Sequence, residues 1–152
     1  MRATLAIPAL WFLSAFIVFG SSGLRAHAED MKLEVQLIWG TNDDQSPDKN
    51  HQPVDPDIKK RLKELPLKWS NYFLVNRKRF DVPPLATKRE PLSEKCAIEV
   101  KNLGNDSIEV TQFGKGQQVW KGTQALPKGK FLFLGGNAPN ATSWLVILKR
   151  IE

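Results

Sequence analysis

The sequence predicts an all-β fold, mainly antiparallel: a β-sandwich of seven to eight short strands with one short helix. Three observations carry that expectation. Apolar residues recur with a period of two in several short runs. Turn residues separate those runs at close spacing. Strand-like runs do not alternate with helical ones, which disfavours a parallel α/β sheet. A length of 152 residues suits one domain, and 41% apolar residues are enough for a core.

Residues 1–28 read as a secretory signal peptide. Arg2 supplies the positive start, Leu10 to Phe19 is strongly apolar, and Ala26-His27-Ala28 fits the small-x-small cleavage pattern. Pro8 and Ser14 interrupt an uncharged run that is already short for a membrane span. The expected location is therefore secreted or periplasmic, with residues 29–152 as one β-sandwich domain and no stable membrane insertion after cleavage. Cleavage removes Arg2 and Arg25 from 22 basic residues and none of the 16 acidic ones, so the net charge falls from +6 to +4. That excess is too small and too dispersed to predict a nucleic-acid partner, but it suits weak attraction to an anionic envelope or polysaccharide.

Leu33, Val35, Leu37 and Trp39 alternate with Glu34 and Gln36, which predicts a half-buried strand ended by Gly40. Residues 41–56, rich in Pro, Asn and Asp, predict a long loop. Asp55-Pro56-Asp57 then opens a helix with an N-cap, a proline at its first position and an acid near its positive end. Ile58, Leu62 and Leu65 form its apolar stripe, and Pro66 stops it. Tyr72 to Phe80 is a strand, and Leu85 to Leu92 is an edge strand protected by Lys88, Arg89, Glu90 and Pro91. The runs 96–101 and 107–112, around Asn102 to Asp106, predict a hairpin. Further strands are expected at Gln117 to Gln124, Phe131 to Leu134 and Ser143 to Ile151, with a loop over 135–140. Apolar residues on both faces of the last run mark it as central to its sheet. The Ile-x-Val-x-Asn-x-Gly cadence at 98–104 is similar to that of bacterial immunoglobulin-like modules, which implies an immunoglobulin-like or related sandwich.

Catalytic groups are scarce. His51 is the only histidine beyond residue 28, and it lies in the Pro/Asp-rich loop, where a solvated role is expected. Cys96 stands alone among strand residues and reads as an inert buried thiol. No metal site and no cofactor are expected. Asp44, Ser46, Asp48, Asn50 and Asp55 have the spacing of part of a calcium loop, but Lys49 stands where glycine is needed and Pro47 intrudes. Glu34, Glu99 and Glu109 sit at polar strand positions and read as solvent-facing charges, though a facing pair would suit a carboxylate-dependent hydrolase or lyase. Asn105-Asp106-Ser107 and Asn140-Ala141-Thr142 fit the glycosylation acceptor pattern.

Aromatic residues remain as the candidate binding groups. Trp39 and Trp144 sit in apolar-patterned strands and are expected in the core. Trp69 and Tyr72 lie at the helix-to-strand junction with Lys68 and Arg77 nearby in sequence, and Trp120 is flanked by Gln and Lys. Trp69, Tyr72, Lys68, Arg77 and Trp120 are the expected ligand-binding residues. The function that follows is a non-enzymatic module binding a protein or polysaccharide of the cell envelope. A secreted carboxylate enzyme and a calcium-stabilised adhesive module are the alternatives.

Overall fold

A computed structural model describes residues 29–138 and 142–152; the signal-peptide reading of 1–28, and Asn140 of the second acceptor pattern, lie outside the described residues. The elements are β1 (Met31–Thr41), β2 (Gln52–Pro53), α1 (Pro56–Glu64), β3 (Asn71–Val82), β4 (Thr87–Pro91), β5 (Cys96–Gly104), β6 (Ser107–Gly114), β7 (Gln117–Ala125), β8 (Phe131–Ala138) and β9 (Thr142–Arg150). They form two sheets, ordered β2-β3-β1-β9-β8 and β4-β5-β6-β7, and all pairings are antiparallel. The fold is mostly antiparallel β with one short helix, and the two sheets face each other across a shared core.

That core follows from the period of two. Leu33, Val35 and Leu37 of β1, Val146 and Leu148 of β9, and Leu132 and Leu134 of β8 meet Ile98, Val100, Ile108 and Val110 of the smaller sheet. The β5–β6 hairpin turns at Asn105 and Asp106, both with positive φ, the geometry that lets a two-residue turn match strand twist. Asp106 also ties the sheets together, since it holds the buried Arg150 guanidinium, which donates as well to the Leu126 carbonyl. β4 is an edge strand, as Lys88 to Pro91 predict.

A second apolar layer lies on the other face of the larger sheet. Ile58 and Leu62 of α1 pack with Val54 on Ile38, Leu74, Leu145 and Ile147. This is why β9 carries apolar residues on both faces: it lies between β1 and β8, with sheet on one side and helix on the other. The Asp55 backbone oxygen accepts from Lys59 N at 2.8 Å, but its carboxylate makes no capping bond and serves other partners.

Several expectations need correction. Glu34 and Gln36 are not solvent-facing; they are 6% and 2% exposed, because α1 and the chain leading into it cover that face. Gly40 does not end β1, which continues to Thr41. Leu65 falls outside α1 and is exposed, since the chain turns extended there. Loop 41–56 contains the short strand β2, and β8 continues through Ala138 where a loop is expected from 135. Trp39 and Trp144 are half-buried and pack edge to face at 4.5 Å.

Candidate functional site

A cleft lies between α1 and the start of β3, with a volume of about 440 Å³, in the size range of small-molecule sites. Trp69 and Tyr72 both line it. Tyr72 stands opposite Gly40 across the β1–β3 pair, and its hydroxyl donates to the Trp69 carbonyl at 3.0 Å. A Cβ at Gly40 would lie 3.3 Å from Tyr72 Cε1 and 3.4 Å from Trp69 Cγ. The missing side chain therefore makes a floor on which both rings rest. The rim is held by short contacts: Ser70 N donates to Asn42 Oδ1 at 2.9 Å, and Asn71 Nδ2 donates to the Asp43 carbonyl at 2.9 Å. Lys59 and Lys63, one turn apart on α1, line the helical wall, and Asp44 lines the loop side. Gly40→Val adds an isopropyl group where the rings sit. It is expected to displace them, costing about 1–3 kcal/mol by overpacking and shifting the tryptophan emission; an unchanged spectrum and melting temperature would show that the rings do not use this floor.

Arg77 is not part of this cleft. It lies further along β3, on the same polar row as Arg79, Glu34 and Gln36. Its guanidinium is bound to Asp55 and lies 3.7 Å from Glu34 Oε1. Arg79 Nε donates to Glu34 Oε2 at 2.7 Å. Gln36 Nε2 donates to both carboxylates, at 2.8 Å to Glu34 and 3.2 Å to Asp55. Two carboxylates thus share one amide, the arrangement a glycosidase reading would look for. Their protonation points the other way. Burial pushes the Glu34 carboxyl up, but the Gln36 and Arg79 hydrogen bonds and the arginine charges outweigh it and leave it below its ordinary value. The Arg77 hydrogen bond likewise holds Asp55 low against burial. Neither group keeps a proton to donate at neutral pH.

Lys68 is exposed and does not line the cleft. Trp120 lies elsewhere, in an apolar groove of about 400 Å³ with Val119, Trp144 and Cys96 beside Gly135 and Gly136 of β8. Burial raises the Cys96 thiol, which disfavours the reactive thiolate. Two of the basic groups meet at one acid, since Lys78 and Lys88 both reach Glu90, while Arg89 lies over Phe113 at 3.8 Å and Arg61 over Phe131 at 4.3 Å. In the 41–56 loop, Ser46 Oγ bonds His51 Nδ1 at 2.5 Å and the Asp48 carboxylate accepts from Asn50 N at 2.8 Å, so two of the spaced oxygen groups brace the loop itself. No group of three or more His, Cys, Asp or Glu gathers for a metal ion among the described residues. Nor is any described helix long and apolar enough to cross a membrane.

Of the five expected binding residues, the structure brings Trp69 and Tyr72 together and leaves Lys68, Arg77 and Trp120 outside their cleft. Sequence reasoning missed Gly40, Lys59, Lys63 and Asp44. The i, i+4 spacing of Lys59 and Lys63 put them on one helix face, but nothing local said that this face borders the aromatic pair. No protein-family model matches the chain, and no curated protein or solved structure matches it significantly.

Proposed function

We propose that the protein is an exported, non-enzymatic β-sandwich module, immunoglobulin-like or related, that binds a protein or envelope-glycan partner at the Trp69–Tyr72 cleft. The observation that carries this reading is the pairing of those two rings over Gly40 in a cleft with a polar rim. Aromatic faces supply binding area, and rim groups such as Ser70 and Asn71 supply directional hydrogen bonds. Sugars have apolar ring faces edged by hydroxyls, so a glycan fits this mixture better than a flat protein face. The lowered Glu34 and Asp55 carboxyls support a contact role over an acid–base one. Export rests on the first 28 residues of the sequence.

Titration of the purified protein with soluble neutral and acidic oligosaccharides, followed by tryptophan fluorescence, tests the site. Trp69→Ala is expected to weaken saccharide binding roughly fivefold to a hundredfold, on the order of 1–3 kcal/mol for a lost stacking surface. Trp120→Ala is expected to leave it unchanged. Because Trp69 rests on Gly40, Trp69→Phe serves as the milder variant and should keep partial affinity. Binding that survives Trp69→Ala in a folded protein would overturn this site.

A further inference from the structure

We infer that the ligand of the aromatic cleft is an anionic pyranose, a sugar ring carrying a carboxylate, seated with its ring at Trp69 and Tyr72 and its charge toward Lys59 and Lys63. The inference rests on the cleft reading above and names its ligand class. Lys59 and Lys63 sit at i and i+4 of α1, so both ammonium groups leave the same side of the helix, and both line the cleft. Neither has an ion-pair partner among the described residues, whereas several other basic groups are already engaged: Arg77 and Arg79 with Glu34, Lys121 with Glu109, Lys149 with Asp57, and Arg150 with Asp106. The cleft therefore offers two uncompensated cations beside an aromatic pair. Asp44 is the one acid on its lining, across from the helix. That asymmetry gives a ligand an orientation: its acid group faces α1, and its hydroxyls face Asp44, Ser70 and Asn71. A neutral sugar would leave the lysines unused, and a second acid near Asp44 would be repelled.

Uronate oligosaccharides of several ring configurations provide the probe, each as the free acid and as its methyl ester, which differ in the charge and one methyl group. The free acid is expected to bind about tenfold more tightly than the ester, the size that two partly exposed charge contacts supply. That preference should shrink as salt rises from low to physiological ionic strength. Lys59→Gln with Lys63→Gln should bring acid and ester to equal affinity, removing the roughly tenfold preference for the acid. Lys60→Gln, a helical lysine outside the cleft lining, should change nothing. Both lysines are exposed, so the double variant puts no packing at risk. Acid and ester binding equally to the unmodified protein, both lost in Trp69→Ala, would overturn the anionic ligand and leave the cleft reading standing. No binding by any acid or ester would overturn the anionic ligand. A preference for acid that persists in the Lys59/Lys63 variant would place the recognised charge elsewhere and overturn this inference.

Discussion

Ile147→Ala and Leu148→Ala are each expected to lower the unfolding free energy by about 2–5 kcal/mol, the usual cost of emptying a buried aliphatic site. The residues are neighbours on β9 and point to opposite faces. Leu148 is fully buried between the two sheets, and Ile147 is buried in the layer beneath α1. A sandwich with one wet face would behave differently. It would lose several kcal/mol at Leu148 and about 0.5 kcal/mol or less at Ile147, as at an ordinary surface position. Equal penalties therefore diagnose the helix layer as a second core. Urea unfolding with an unchanged slope measures both. A small effect at Ile147 would mean that α1 covers β9 without packing on it. Domains of this kind have on the order of 5–15 kcal/mol in total, so either substitution removes a large share.

The double substitution Arg77→Ala with Arg79→Ala is expected to cost about 3 kcal/mol at neutral pH, more than Glu34→Ala alone. The asymmetry comes from exposure. The Glu34 side chain is 8% exposed, while those of Arg79 and Arg77 are 71% and 34% exposed. Without Glu34, the guanidinium groups turn to water. Without the arginines, a buried carboxylate keeps only the Gln36 amide, because Lys149, opposite it on β9, is engaged by Asp57. Adding Glu34→Leu to the double variant should recover most of the loss, since apolar replacement of a buried ion pair is often close to neutral.

The pH dependence should reverse as well. In the unmodified protein, Glu34 and Asp55 titrate below their ordinary values of 4.5 and 3.8. Their contribution is fully present above about pH 4.5 and drains away as the pH falls through the lowered folded-state values. In the double variant burial dominates and raises the Glu34 carboxyl, so acidification toward pH 5 should recover stability. Urea midpoints across this range decide the matter: an arginine-free protein that weakens with acid as the parent does would show that Glu34 is not held as described.

Local pattern carried much of this molecule. The Ile-Glu-Val runs at 98–100 and 108–110 around Asn105 and Asp106 made β5 and β6 readable, because hairpin pairing is settled by neighbours in sequence. Trp69 and Tyr72 stood out because two aromatics at a helix-to-strand junction are unusual in composition. The rest of their cleft was hidden. Gly40 reads as a strand terminator until Tyr72 lies across from it, and that pairing joins residues some thirty positions apart. Arg77 was close to Tyr72 in sequence, yet five residues of extended strand carry it away from the cleft to the partners Asp55 and Glu34.

The sequence by itself determined the strand class, the short helix and the central place of β9, since periodicity and turn chemistry are properties of a few adjacent residues. Tertiary structure alone decided which polar-looking face would be covered. Glu34 and Gln36 alternate with apolar neighbours as any wet strand face does; they are buried because α1 and the chain leading into it arrive from about twenty residues away to cover that face, where Asp55 accepts from Gln36 and the arginines Arg77 and Arg79 of β3 compensate Glu34. Alternation marks which residues share a face, and only long-range packing chooses what that face meets.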